Sequence, residues 1–149
     1  MRLARRLASS MLLVLLGTGA AQAALGERIV AEASARGRFS AVIRVARAAT
    51  HTLHERQTAA GATVREYVGK DQKVFAVTWE GPFRPDLREL LGAHYDSAFS
   101  TSRLRRSRGP VTIRVPGLVI FMGGHPRAWF GRAYLEQALP AGLPIQEIR

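Results

Sequence analysis

The chain has 149 residues, with 22 lysines and arginines against 11 aspartates and glutamates, a formal net charge of +11, and no cysteine. The missing cysteine excludes disulfides, thiolate metal ligands and a cysteine nucleophile, so stability rests on packing and hydrogen bonds. The excess of positive charge favours polyanionic partners: nucleic acid, anionic lipid headgroups or acidic polysaccharide.

Residues 1–23 carry the three parts of a secretory signal peptide: Arg2, Arg5 and Arg6, then an apolar core around Met11 to Leu16, then the small-residue motif Ala21-Gln22-Ala23. The core is shorter than the ~20 apolar residues of a membrane-spanning helix. Cleavage is expected after Ala23, giving a periplasmic or secreted product without a transmembrane segment. Taking 23 residues from 149 leaves 126, and losing three arginines leaves 19 basic residues against 11 acidic ones, a net charge of +8. An exported protein rarely meets nucleic acid, so the expected partner is an anionic envelope component or another envelope protein. Only Lys70 and Lys73 are lysines, and that arginine skew suits bidentate phosphate and carboxylate contacts but is also produced by a GC-rich genome.

Residues 24–49 are rich in alanine and arginine and sustain neither a 3.6 nor a 2 period, which reads as a weakly structured segment with at most an edge strand or helical turn at Arg44 to Arg47. A single domain is expected over residues 50–149. Three strand-like runs open it, THTLHERQ, ATVREYV and KVFAVTWE, separated by Ala60-Gly61 and Gly69-Lys70-Asp71 at hairpin spacing. Period 2 in the third run places Phe75, Val77 and Trp79 on one core-facing side.

Asp86 and Glu89 have capping-box spacing at the start of the clearest helix. Leu87, Leu90, Leu91, Tyr95, Ala98 and Phe99 form one apolar stripe along it. Gly92 costs such a helix up to ~1 kcal/mol relative to alanine and suggests close approach to the sheet. Arg103 to Pro110 reads as a solvated basic linker. VTIRV and LVIFM are strands split by a Pro116-Gly117 turn, and a reversal at Gly123, Gly124 and Pro126 leads into a last strand through Ala128 to Arg132. The fold expected is α+β: a mainly antiparallel sheet of five or six strands, β-β-β-α-β-β-β, with one amphipathic helix on one face.

Several of these motifs together carry a resemblance. Ala24-Leu25-Gly26 after the signal, TVREYV, VFAVTWEGPFRPDLRELLG, GGHPRAWFGRAYL and LPAGLPIQEIR occur in order over most of the mature chain. On these the chain resembles the bacterial family called domain of unknown function 2844. The resemblance implies a small exported protein of Gram-negative bacteria with no assigned activity, and it carries no functional residues over.

No G-x-S-x-G elbow, H-E-x-x-H helix, phosphate loop or dinucleotide fingerprint occurs. His51 and His54 point to opposite faces of a strand and do not share a metal ion. His94 lies beside the helix stripe, where a satisfied, partly buried imidazole is the ordinary outcome. No catalytic residue, metal or cofactor is assigned, although His125 in its glycine-rich turn leaves open a small hydrolase or transferase. The main expectation is a non-enzymatic binding module whose contact residues are His125, Arg127, Trp129, Arg132, Tyr67 and Arg65, large flat side chains interleaved with arginines. The competing account makes Trp79 and Phe130 core and leaves the arginines to solvate the outer face of the sheet.

Overall fold

Alternating side chains and well-placed turns give a mostly β protein. A computed structural model describes residues 24–29, 39–101 and 109–149; the proposed leader and the run Arg103 to Arg108 lie outside the described residues. The strands are β1 (Phe39–Arg47), β2 (Thr52–Thr58), β3 (Thr63–Val68), β4 (Val74–Gly81), β5 (Val111–Val115), β6 (Leu118–His125) and β7 (Ala128–Leu135). They form one antiparallel sheet in the order β1-β2-β3-β4-β7-β6-β5, so two meanders meet with β7 beside β4. The sheet thus has seven strands rather than five or six. The additional strand, β1, pairs with β2 through register shifts between Phe39 and Val42 and between Val42 and Arg44. Such irregularity breaks the period-2 pattern that sequence reading depends on.

The expected single helix is two short ones, α1 (Leu87–Leu91) and α2 (His94–Thr101). Asp86 caps α1, its Oδ1 accepting from the backbone N–H of Arg88 at 2.9 Å and of Glu89 at 3.4 Å, worth ~1 kcal/mol for a cap of this kind. Gly92 ends α1 with φ +52, where a side chain is strained, and its N–H donates to the Arg88 carbonyl at 3.0 Å. A Cβ there would also stand 2.6 Å from the Ala24 methyl. The close approach is therefore to the N-terminal strap, residues 24–29, and not to the sheet. Leu25 N–H donates to the Leu90 carbonyl and Gly26 N–H to the Val74 carbonyl, which ties that strap to both α1 and β4.

The leucine stripe survives the break. Leu90, Leu91 and Ala98 are buried with Val64, Val77, Trp79, Ile120 and Ala133, and Leu87, Tyr95 and Phe99 pack at the margin. Phe75 does not join them. Val68 opposes Val74 and Tyr67 opposes Ala76, so Phe75 is the extra residue of a bulge. The bulge turns Phe75 to the other face, where it packs with Tyr67, Tyr134, Val119 and Ile148. That second face is covered by the C-terminal segment, whose Leu139, Leu143, Ile145 and Ile148 supply apolar contacts. Ile148 is fully buried, which stabilises the segment by roughly 1.5–3 kcal/mol. Both faces of the central strands are therefore covered, by helices and strap on one and by the C-terminal segment on the other.

Candidate functional site

Among the described residues, charge, aromatic surface and exposure combine at a hairpin tip and at a pocket. The first is the tip of the β6–β7 hairpin. Gly123 and Gly124 continue β6, pairing with Phe130 and Trp129, and the reversal lies at Pro126 and Arg127 instead. Proline fixes the first turn position and Arg127 takes φ +73 at the second, the requirement of a type II turn. Pairing with β5 ends at Met122 and pairing with β4 ends at Trp129, so the residues from His125 to Ala128 stand clear of both neighbours. His125 and Arg127 are exposed. The Arg84 guanidinium lies 3.9 Å from the centroid of the Trp129 ring, and Phe83 next to it is 60% exposed. His125 Nδ1 is 3.1 Å from the Pro126 carbonyl oxygen; the hydrolase or transferase reading gains no second reacting group from that contact.

The second is a pocket of about 260 Å³ on the face covered by the C-terminal segment, lined by Arg65, Thr78, Phe121, Phe130, Arg132 and Ile148 among others. Arg65 is held there by two carboxylates: Nε donates to Glu55 at 2.7 Å and Nη2 to Glu80 at 2.8 Å. Burial alone would lower its pKa, but the bonds from Glu80 and Glu55 outweigh it and raise it above the ordinary arginine value. Arg132 donates from Nη1 to the Ile145 carbonyl at 3.3 Å and sits over the Phe121 ring at 5.5 Å. Its Nε, and the Thr78 Oγ1 beside it, are buried without a hydrogen-bond partner among the described residues.

The six residues expected to form one contact surface are thus divided. Arg65 and Arg132 line the pocket. Tyr67 points to the same face but is buried, its hydroxyl spent on the Arg149 backbone. Trp129 aligns with Gly131 and Ala133 on the helix side, and His125 and Arg127 occupy the tip. The competing account is also split, since Trp79 is core while Phe130 is 42% exposed. Sequence reading passed over Thr78, Phe121, Arg84 and Phe83. Thr78 had a signal: a hydroxyl between Val77 and Trp79 in an otherwise apolar run.

The histidines stay apart. His51 packs against the rings of Tyr67 and Phe75, at 5.5 and 6.0 Å, while His54 opposes Glu66 on the helix side. Among the described residues no three His, Asp or Glu side chains group as metal ligands. Glu66 is almost fully buried and ion-paired with Arg56. Desolvation raises the Glu66 pKa against the opposing pull of Arg56. Burial lowers that of His54, with help from the Arg56 charge.

A family model described as a protein of unknown function, DUF2844, matches residues 21–148. No curated protein and no solved structure matches the chain.

Proposed function

We propose, from the premise that this chain belongs to the DUF2844 family, that it is an exported, non-enzymatic module that docks on anionic lipid headgroups of the bacterial cell envelope. The observation that carries the reading is the projecting hairpin tip, with exposed Arg127 and the Arg84–Trp129 stack, together with the exposed Phe83 that precedes Arg84 in the chain. Tryptophan and arginine placed together suit the boundary between headgroups and acyl chains, the ring lying at the interface and the guanidinium among phosphates. The net charge adds long-range attraction to such a surface. The signal-like residues 1–23 support export, to periplasm or medium.

The test is co-sedimentation of the purified protein with vesicles of phosphatidylglycerol and phosphatidylcholine against phosphatidylcholine alone. Binding is expected only with the anionic lipid, weakening as salt rises, with a blue shift in Trp129 emission. Trp79, the other tryptophan, is already buried. Arg127→Glu is expected to abolish the binding. Equal binding to neutral vesicles, or retention only on acidic polysaccharide, would overturn the lipid assignment. Amino-terminal sequencing of the exported product is expected to begin at Ala24.

A further inference from the structure

We infer that the pocket beneath the C-terminal segment is a separate binding site for a monocarboxylate carried on an aromatic body. Thr78 is 3% exposed, and it is the cross-strand partner of Arg132 on the β4–β7 pair. Directly opposed residues place their side chains on one face about 5 Å apart. The Thr78 hydroxyl and the Arg132 Nε–H are the two buried polar groups of the pocket with no hydrogen-bond partner among the described residues. Native interiors leave few such groups unpaired. Two unpaired donors on opposed residues of one face can serve the two oxygens of one carboxylate, and the bond from a guanidinium to an anion is charge-assisted.

The rest of the pocket selects what the carboxylate is attached to. Phe121 and Phe130 lie with ring centroids 5.9 Å apart and tilted by 43°, and Ile148 supplies a further apolar wall. A ring laid against Phe130 would cover surface that is otherwise exposed, in the offset geometry aromatic pairs favour. The volume of about 260 Å³ is near the lower end of small-molecule sites, which fits one ring with its acid group. Arg65 does not add a free charge, because Glu55 and Glu80 already neutralise it. Glu80 at the pocket wall instead disfavours a second negative charge, so dicarboxylates are disfavoured.

Such a group exists both as a free aromatic acid and as the terminal carboxylate of a peptide ending in phenylalanine. The experiment is isothermal titration of the purified protein with benzoate, phenylacetate and a short peptide ending in phenylalanine, each beside its amide. Saturable one-to-one binding is expected for an acid, with its amide weaker by about tenfold or more. Binding by the peptide alone would assign the site to a protein terminus, and binding by the free acids to a small metabolite; either supports the site. Thr78→Val is expected to weaken binding by about tenfold without lowering the thermal midpoint of the unliganded protein, because it deletes an unpaired hydroxyl. Arg132→Lys, which keeps the charge but removes the directed Nε–H, is expected to weaken it at least as much. Absence of saturable binding by all three acids, equal affinity for acid and amide, or a Thr78→Val protein that titrates as the parent would overturn the assignment. Trp129→Ala leaves this binding unchanged, so the vesicle contact and the pocket succeed or fail independently.

Discussion

The Tyr67 hydroxyl grips the backbone of Arg149 from both sides, accepting its N–H at 3.0 Å and donating to its carbonyl oxygen at 2.7 Å. A side chain on β3 thereby fixes the end of the segment that roofs the pocket, across 82 positions of sequence. Tyr67→Phe keeps the ring in its cluster and removes only these two bonds. A loss of about 1–2 kcal/mol in denaturant-measured stability is expected, together with loss of exchange protection at the Arg149 amide. An unchanged amide would show that Ile148 burial alone holds the segment.

The Trp79 ring packs against Gly131 on the neighbouring strand, in space that a Cβ on Gly131 would fill. Gly131→Ala is expected to destabilise by about 1–3 kcal/mol, the usual cost of overpacking a buried site. Pairing it with Trp79→Phe should recover part of the loss, a coupling that a double-mutant cycle measures.

The helix break has its own test. Gly92→Ala forces a side chain into φ +52 and against Ala24, so a loss of roughly 1–3 kcal/mol is expected for that backbone strain. Because the strap is what collides, amide exchange should accelerate at Leu25 and Gly26, whose N–H groups bond to Leu90 and Val74.

Glu66 and His54 oppose each other as pH changes. The folded pKa of Glu66 is raised above its ordinary 4.5, so its contribution is complete below that value and is lost as pH rises through the folded value. The folded pKa of His54 is lowered below its ordinary 6.5, so its contribution is present above 6.5 and is lost as pH falls through the folded value. Glu66→Gln is therefore expected to gain stability relative to the parent as pH rises from 4.5 towards neutrality. His54→Gln should flatten the acid side of the curve. Urea unfolding at a series of pH values measures both.

Much of this architecture was legible because local signals agreed with one another. The hairpin spacings around Ala60-Gly61 and Gly69-Lys70-Asp71, the Pro116-Gly117 turn, the Asp86 cap and the leucine stripe all stand in the structure where their residues placed them. What could not be read came from tertiary adjustment. A one-residue bulge reversed Phe75 while leaving Val77 and Trp79 in phase, and period counting has no term for that. The helix breaks at Gly92 where the N-terminal strap, distant in sequence, leaves no room for a side chain. The pocket was half visible: Arg65 and Arg132 were picked out for their charge. The Thr78 hydroxyl stands out in its apolar run, but its place opposite Arg132 follows only once β4 and β7, separated by the helices and two strands, are known to be neighbours.

That adjacency of β4 and β7 also governs when the chain can fold. The middle of the sheet is closed by a strand made long after its partner, and the second face is sealed later still by Ile148. A nascent chain that has emerged only as far as α2 holds half a sheet with an unzipped β4 edge and nothing to lay over Phe75. Long-range closure of this kind delays folding, so the β4 edge stays unpaired, and open to pairing with another chain, until β7 has been made and reaches it.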